Sequence, residues 1–288
     1  MKPLLLLFFS VQLHFFALDA IAGGIAWEVF TRSREVFQGG IARIRVSKMS
    51  SAGVKARFRT REIVFFSGEG AGAYEALLGV DLKEEPGPKR IVIQDRGGAK
   101  EKEAASIRLQ ARRKEFPVEK LSVPVSKDRF DKATLERIRR EKARLTLLWR
   151  SADQRRRWQG AFIAPVPGGI TSAFGRRRII NGTPRSPHGG VDLRAAQGAK
   201  VVAANHGRIA LLDEFFFSGK SLVLDHGGGL YTMYFHLDEF RVAMGSRVRK
   251  GEEIGRAGMT GRVTGPHLHW GVRLNGARVD PFSLLALN

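Results

Sequence analysis

The chain has 288 residues, with 49 Lys and Arg against 28 Asp and Glu, a length that allows two domains and a net charge of +21 that points to polyanionic partners. Its 43% hydrophobic and 27% charged residues match an ordinary globular chain, which excludes one disordered throughout. The absence of cysteine excludes disulfides, a lipid-modified cysteine and thiolate ligands, so any metal must be held by histidine and carboxylate.

Residues 1–22 combine Lys2, an apolar run from Leu4 to about Ala17, and the small residues Ala20 and Ala22 at the spacing of a cleavage site. They are expected to be a signal peptide cut after Ala22, with the mature chain exported to the periplasm or cell envelope. Gln12, His14 and Asp19 interrupt the run, against a permanent span of about twenty apolar residues. Export also changes what the basic charge means. Nucleic acid is not expected as a partner, and anionic envelope polymers become the better candidate.

From 23 to 126 the sequence offers short, partly alternating β-type runs such as IARIRVS (Ile41 to Ser47), VKARFRT (Val54 to Thr60), REIVFF (Arg61 to Phe66) and RIVIQD (Arg90 to Asp95). Turn-rich GEGAG and EEPGPKR separate them, which predicts a small antiparallel β-sandwich-like domain. This region contains no histidine.

Residues 127–160 change character. Helix formers without Gly or Pro run from Asp128 to about Trp158, and Leu135, Ile138, Leu145, Leu148 and Trp149 are expected to form one apolar stripe of a basic amphipathic helix. Between 111 and 160 there are 16 Lys or Arg and 7 Asp or Glu. The helix is read either as a solvated face or as a contact for anionic polymer. APVPGG (Ala164 to Gly169) reads as a linker or turn. Strand and turn patterns then fill 161–288, so the fold class is all-β with one linking helix.

Six of the seven histidines lie between 188 and 269. If HLHWGVRL is a strand, His267, His269, Gly271 and Arg273 share one face while Leu268, Trp270, Val272 and Leu274 face the core. In PHGGVDL, Gly189 and Gly190 argue against a helical pairing of His188 with Asp192, and a bend followed by a strand brings the two side chains to one point. Alternation in LYTMYFHL puts Thr232, Tyr234 and His236 on one face and Tyr231, Met233 and Phe235 on the other. His226 in HGGG and His206 in AANHGRI sit in turns and are not assigned a chemical role. A carboxylate with two or three imidazoles from separate segments is the usual ligand set of catalytic zinc.

HGGVD, YFHL and GPHLHW, in that order and with TG before the last, resemble the signature of the lysostaphin-type (LytM-like) zinc metallopeptidases, which cut the peptide part of bacterial peptidoglycan. GGITSAFGRRR, VVAANHGRI, VRKGEEIGRAGMTG and VDPFSLL support the likeness, which covers roughly Phe162 to Leu287. It implies a lysostaphin-type antiparallel β-sheet peptidase domain in 161–288 and one Zn2+ per chain. His188, Asp192 and His269 would be the metal ligands, and His236 and His267 the catalytic pair. It further implies an endopeptidase whose partners are the peptide stems and cross-links of peptidoglycan, acting through a metal-activated water. Many relatives have glutamate where this chain has Gly271.

Two other readings stay open at this point. One is an inactive family member that binds the wall and activates other hydrolases; such members typically lack one or more of the five residues, all of which are present here. The other is an anionic-polymer binding protein whose histidines are incidental. The N-terminal part is read as targeting the enzyme to the wall or shielding its groove, and a direct D-alanyl cross-link is favoured over a glycine bridge.

Overall fold

The computed structural model describes residues 35–47, 54–68, 73–95, 102–122, 130–150 and 153–287. The expected signal peptide lies outside the described residues. Among them, no helix is long and apolar enough to cross a membrane.

The N-terminal unit consists of two sheets. One has five strands in the order Glu35–Phe37, Lys102–Arg112, Gly87–Asp95, Val54–Phe58, Arg61–Val64; the other has Ala73–Gly79 between Ile41–Ser47 and Phe66–Ser67. Period-two patterning fills the space between them. Ala42, Ile44 and Val46 from one sheet, and Ala56, Phe58, Ile91 and Ile93 from the other, are all buried in one cluster. Arg43 and Arg45, on the alternate positions, reach outward to Glu75.

This unit is fastened to the C-terminal one. Asp81 takes a two-point ion pair from Arg278, 2.6 and 3.1 Å, and also accepts the Arg278 backbone N–H at 2.8 Å. Burial works to raise the Asp81 carboxyl, and the Arg278 contacts outweigh it and hold it below its ordinary value. Leu77, Leu82 and Phe116 enter the C-terminal core, and Val118–Leu121 adds a parallel strand to Arg177–Ile180.

The only long helix among the described residues is Lys132–Arg150, shorter than the sequence pattern predicts. Asp131 caps its start, accepting the Thr134 N–H at 2.7 Å. Beyond it, the chain is pinned to a hairpin turn instead of continuing helically: Arg157 N donates to His226 O and Gly228 N to Asp153 O. Trp158 is thereby buried in the sheet's core, against Phe66. Leu145, Leu148 and Trp149 pack on the sheet, but Leu135 faces solvent and is not part of the buried stripe. APVPGG is a packed turn, with Val166 in the core and Gly168 lying where a Cβ would strike Arg194 O at 1.7 Å.

The C-terminal sheet has ten strands. Its main path runs Ile170–Ser172, Gly190–Leu193, Leu268–Leu274, Leu230–Phe240, Gly219–Gly227, Gly207–Phe215, Arg247–Val248, with antiparallel pairing throughout. Its two faces differ. Leu268, Trp270, Val272 and Leu274 lie on the main core side with Leu230 and Tyr234, while Tyr231 and Met233 point to the opposite face, where the helix packs.

Candidate metal centre

Two neighbouring strands supply the centre. Asp192 and His269 are directly paired across Gly190–Leu193 and Leu268–Leu274, so alternation sends both to the face opposite Leu268 and Trp270. His188 lies two residues before the first of these strands. That strand must begin with glycine, because a Cβ on Gly190 would meet Trp270 O at 2.4 Å and His269 Nε2 at 2.8 Å.

The three side chains converge. His188 Nε2 lies 3.0 Å from Asp192 Oδ1 and 3.0 Å from His269 Nδ1, and His269 Nδ1 lies 2.9 Å from Asp192 Oδ1. All three groups are partly buried and form the one His, Asp and His group that could hold a metal ion among the described residues.

The proton inventory fits a cation at this point. His188 Nδ1 faces the Ala173 carbonyl at 3.0 Å, an acceptor only, so Nδ1 carries a proton and Nε2 is the ring atom turned to the other two groups. Burial tends to raise the Asp192 carboxyl, yet hydrogen bonding with His188 and His269 outweighs that and holds it well below the ordinary carboxylate range. Burial pushes His269 toward its neutral form. Two imidazoles and a carboxylate within about 3 Å of one another are the donor set of a zinc site.

Two more histidines flank the group. The His236 and His267 rings are 4.8 Å apart, His236 is 6.1 Å from the His269 ring, and His267 Nε2 is 3.8 Å from Asp192 Oδ1. His236 Nδ1 faces Thr260 O at 3.0 Å and His267 Nδ1 faces Gly265 O at 2.9 Å. Each Nδ1 therefore donates, and each neutral ring keeps a free pair at Nε2. Burial pushes His236 down to about 4, so it is neutral at pH 7.

The location of His236 corrects the alternation expectation. Lys220 pairs with Leu237 and Leu222 with Tyr234, so this strand carries one extra residue, and His236 sits in the left-handed region at φ 64°. Tyr234 and Leu237 both enter the main core, and His236 joins the site on the opposite face from Tyr234. The neighbouring Phe235 stacks on His269 with centroids 5.3 Å apart.

His226 and His206 lie elsewhere. His226 is fully buried, donating from Nδ1 to His206 O at 2.7 Å and lying 2.8 Å from Thr232 Oγ1, which in turn lies 2.9 Å from Tyr234 Oη. This network is structural. Phe235, Thr260 and the Ala173 carbonyl were not singled out by sequence reasoning, although they lie within YFHL, the TG before the last motif and GGITSAFGRRR.

An antiparallel sheet with a His, Asp and His donor set and two histidines beside it defines a metal-site β domain. Residues 186–281, within the C-terminal unit, match Peptidase family M23. The chain is 38% identical over 112 residues to the peptidoglycan DD-endopeptidase ShyB of Vibrio cholerae, and 43% identical over 116 residues to the DD-carboxypeptidase/endopeptidase Mpg of Neisseria meningitidis. These stretches cover 38% and 40% of this chain and 26% of each relative, so the chain spans about a quarter of the length of the curated relatives it matches. A crystal structure from Pseudomonas aeruginosa assigned to peptidase M23 superposes with a TM-score of 0.69 and 29% identity, covering 86% of this chain and 94% of that one.

Proposed function

We propose that the protein is an exported zinc-dependent endopeptidase that hydrolyses peptide cross-links of bacterial peptidoglycan. The observation that carries this reading is the convergence of His188 Nε2, Asp192 Oδ1 and His269 Nδ1 within about 3 Å, with the free Nε2 edges of His236 and His267 alongside. The names of the relatives, peptidoglycan DD-endopeptidases among them, support the substrate class and the direct D-alanyl cross-link.

His188, Asp192 and His269 are the residues that would hold zinc. When bound, zinc supplies Lewis-acid polarisation of a carbonyl and lowers the pKa of a water toward about 7. The chain's own groups handle the proton. Neutral His236, held by Thr260 O, offers Nε2 as an acceptor for the proton released when water adds to the scissile carbonyl carbon. The C–N bond then breaks, and that proton passes to the departing amine nitrogen. His267, held by Gly265 O, offers the same edge from the other side of the Asp192 carboxylate. The basic charge supports retention on anionic envelope polymers. All five residues are present and assembled, so the inactive alternative has no observation in its favour.

Digestion of purified sacculi by the zinc-loaded protein tests the reading, with released fragments identified by mass spectrometry. Cross-linked fragments are expected to fall and single-stem fragments to rise. His269→Ala should lose bound zinc and activity together. Activity retained by that variant would sink the proposal.

A further inference from the structure

We infer that Thr260 is a positioning residue that holds the left-handed bulge at His236 and fixes the tautomer of its ring. The inference rests on the functional reading above only in that His236 acts at the site.

At the bulge, the strand pair Gly219–Gly227 and Leu230–Phe240 loses its regular ladder between Lys220 and Leu222. The Thr260 hydroxyl takes that place. Its Oγ1 donates to Leu237 O at 2.7 Å and accepts the Lys220 N–H at 2.9 Å, so one side chain joins both strands beside the extra residue. His236 N–H is satisfied by Ser218 O at 2.9 Å, and its ring Nδ1–H donates to the Thr260 carbonyl at 3.0 Å. A non-glycine residue at φ 64° persists only where its surroundings over-determine it. Here four hydrogen bonds do so, three of them made by Thr260.

The loop carrying Thr260 has no room to drift. A Cβ on Gly219 (φ 58°) would meet Thr260 C and Oγ1 at 2.3 Å, and one on Gly261 (φ 79°) would meet Gly219 N at 2.4 Å. Arg262 N donates to Phe217 O at 3.0 Å, closing the contact from the other side. The two glycines thus allow backbone against backbone, and the Thr260 carbonyl is delivered to His236 Nδ1 at a fixed position. That carbonyl is an acceptor only, so it selects the Nδ1–H tautomer and leaves the Nε2 lone pair free on a ring 6.1 Å from that of His269.

The test uses the full-length, zinc-loaded protein with 15N-labelled histidine. In the wild type at neutral pH, NMR should find His236 protonated at Nδ1 and bare at Nε2; the reverse tautomer overturns the inference whatever the enzyme does. Thr260→Val should mix the tautomers and lower kcat by roughly tenfold to a hundredfold, with KM and zinc content unchanged. Thr260→Ser keeps the hydroxyl and should restore most of the rate. A Val variant with wild-type kcat and tautomer, or a Ser variant as impaired as Val, also overturns it. If Val fails to fold, the wild-type tautomer and the Ser variant decide. If the wild type cuts no peptidoglycan, the functional reading fails, and the tautomer comparison still judges Thr260.

Discussion

Phe235 lies flat against the imidazole of His269, ring centroids 5.3 Å apart and planes 5° from parallel. The two residues are also directly paired across their strands, so the stack is set by register as well as by packing. On its other sides His269 meets Gly190 and the Asp192 carboxylate. Phe235→Ala should leave the ring free to turn and weaken zinc retention by roughly tenfold, as loss of an orienting neighbour does at other metal sites. Competition with a chromophoric chelator measures it. An unchanged zinc affinity would mean that the ring is oriented without the Phe235 stack.

Gly190→Ala tests the opposite wall. The new methyl would lie 2.4 Å from Trp270 O, a backbone atom within a paired strand, and 2.8 Å from His269 Nε2. The strand pair must part or the ring must move, and overpacking of this kind costs about 1–3 kcal/mol. Denaturant unfolding should show that loss together with weaker metal binding. Gly189→Ala is the control, because its nearest neighbour to a Cβ is Arg278 Cδ at 3.9 Å; it should change neither.

Much of this centre was legible in the sequence. Leu268 and Trp270 are apolar neighbours of His269, so period two alone turned His269 away from the core, and the pairing with Asp192 bears this out. The motif likeness supplied which distant segments meet. What alternation could not supply was His236, because a bulge shifts the phase by one residue. A trace of it was present: Tyr234 and Leu237 are three apart, both belong in the core, and no unbroken strand can bury both on one side. Leu135 failed for a related reason, since apolar character alone did not tell which turn of the helix the sheet reaches. Glu141, a charged residue, lies on the sheet-facing side instead, accepting the Phe216 N–H at 3.0 and 3.1 Å.

The helix contact yields a prediction of its own. Trp149 sits edge-on to Tyr231 at 5.3 Å, and the Arg273 guanidinium lies 5.7 Å from its ring. Burial depresses Arg273 to about 10, so the aromatic contact is part of what keeps this charge tolerable. Trp149→Ala should destabilise the protein by about 1–3 kcal/mol and speed proteolytic cutting within 132–150. Equal cutting rates in wild type and variant would show that Glu141 and Arg144 hold the helix without it.

Part of the acid sensitivity should trace to His226, beside a contribution of the same sign from His236, which burial also pushes down to about 4. The His226 Nδ1 proton is committed to His206 O, and full burial pushes His226 down to about 4. An unfolded histidine titrates near 6.5, so between about 6.5 and 4 the unfolded chain binds the extra proton and the native state does not. Stability is therefore present above 6.5, falls as pH drops through that window, and levels off below about 4, a change on the order of 3 kcal/mol from this residue. Urea unfolding of zinc-free protein at several pH values measures the slope. His226→Gln, which does not titrate, should be less stable at pH 7 yet flatten the curve; an unaltered slope would assign the acid loss to other groups.

Metal removal should destabilise the same domain by mass action, because unfolding separates His188 and Asp192 from His269, some eighty residues along the chain. Free zinc a thousandfold above its Kd stabilises the native state by about 4 kcal/mol. For a domain of this size that corresponds to on the order of 10 °C in Tm. Chelation should lower Tm by this amount, and added zinc should restore it. His269→Ala should start near the chelated value and respond to neither treatment. His267→Ala separates the two pairs of histidines: if His267 handles protons and is not a ligand, this variant keeps the zinc-dependent shift while losing turnover. Loss of the shift in His267→Ala would instead make His267 part of the metal's own donor set.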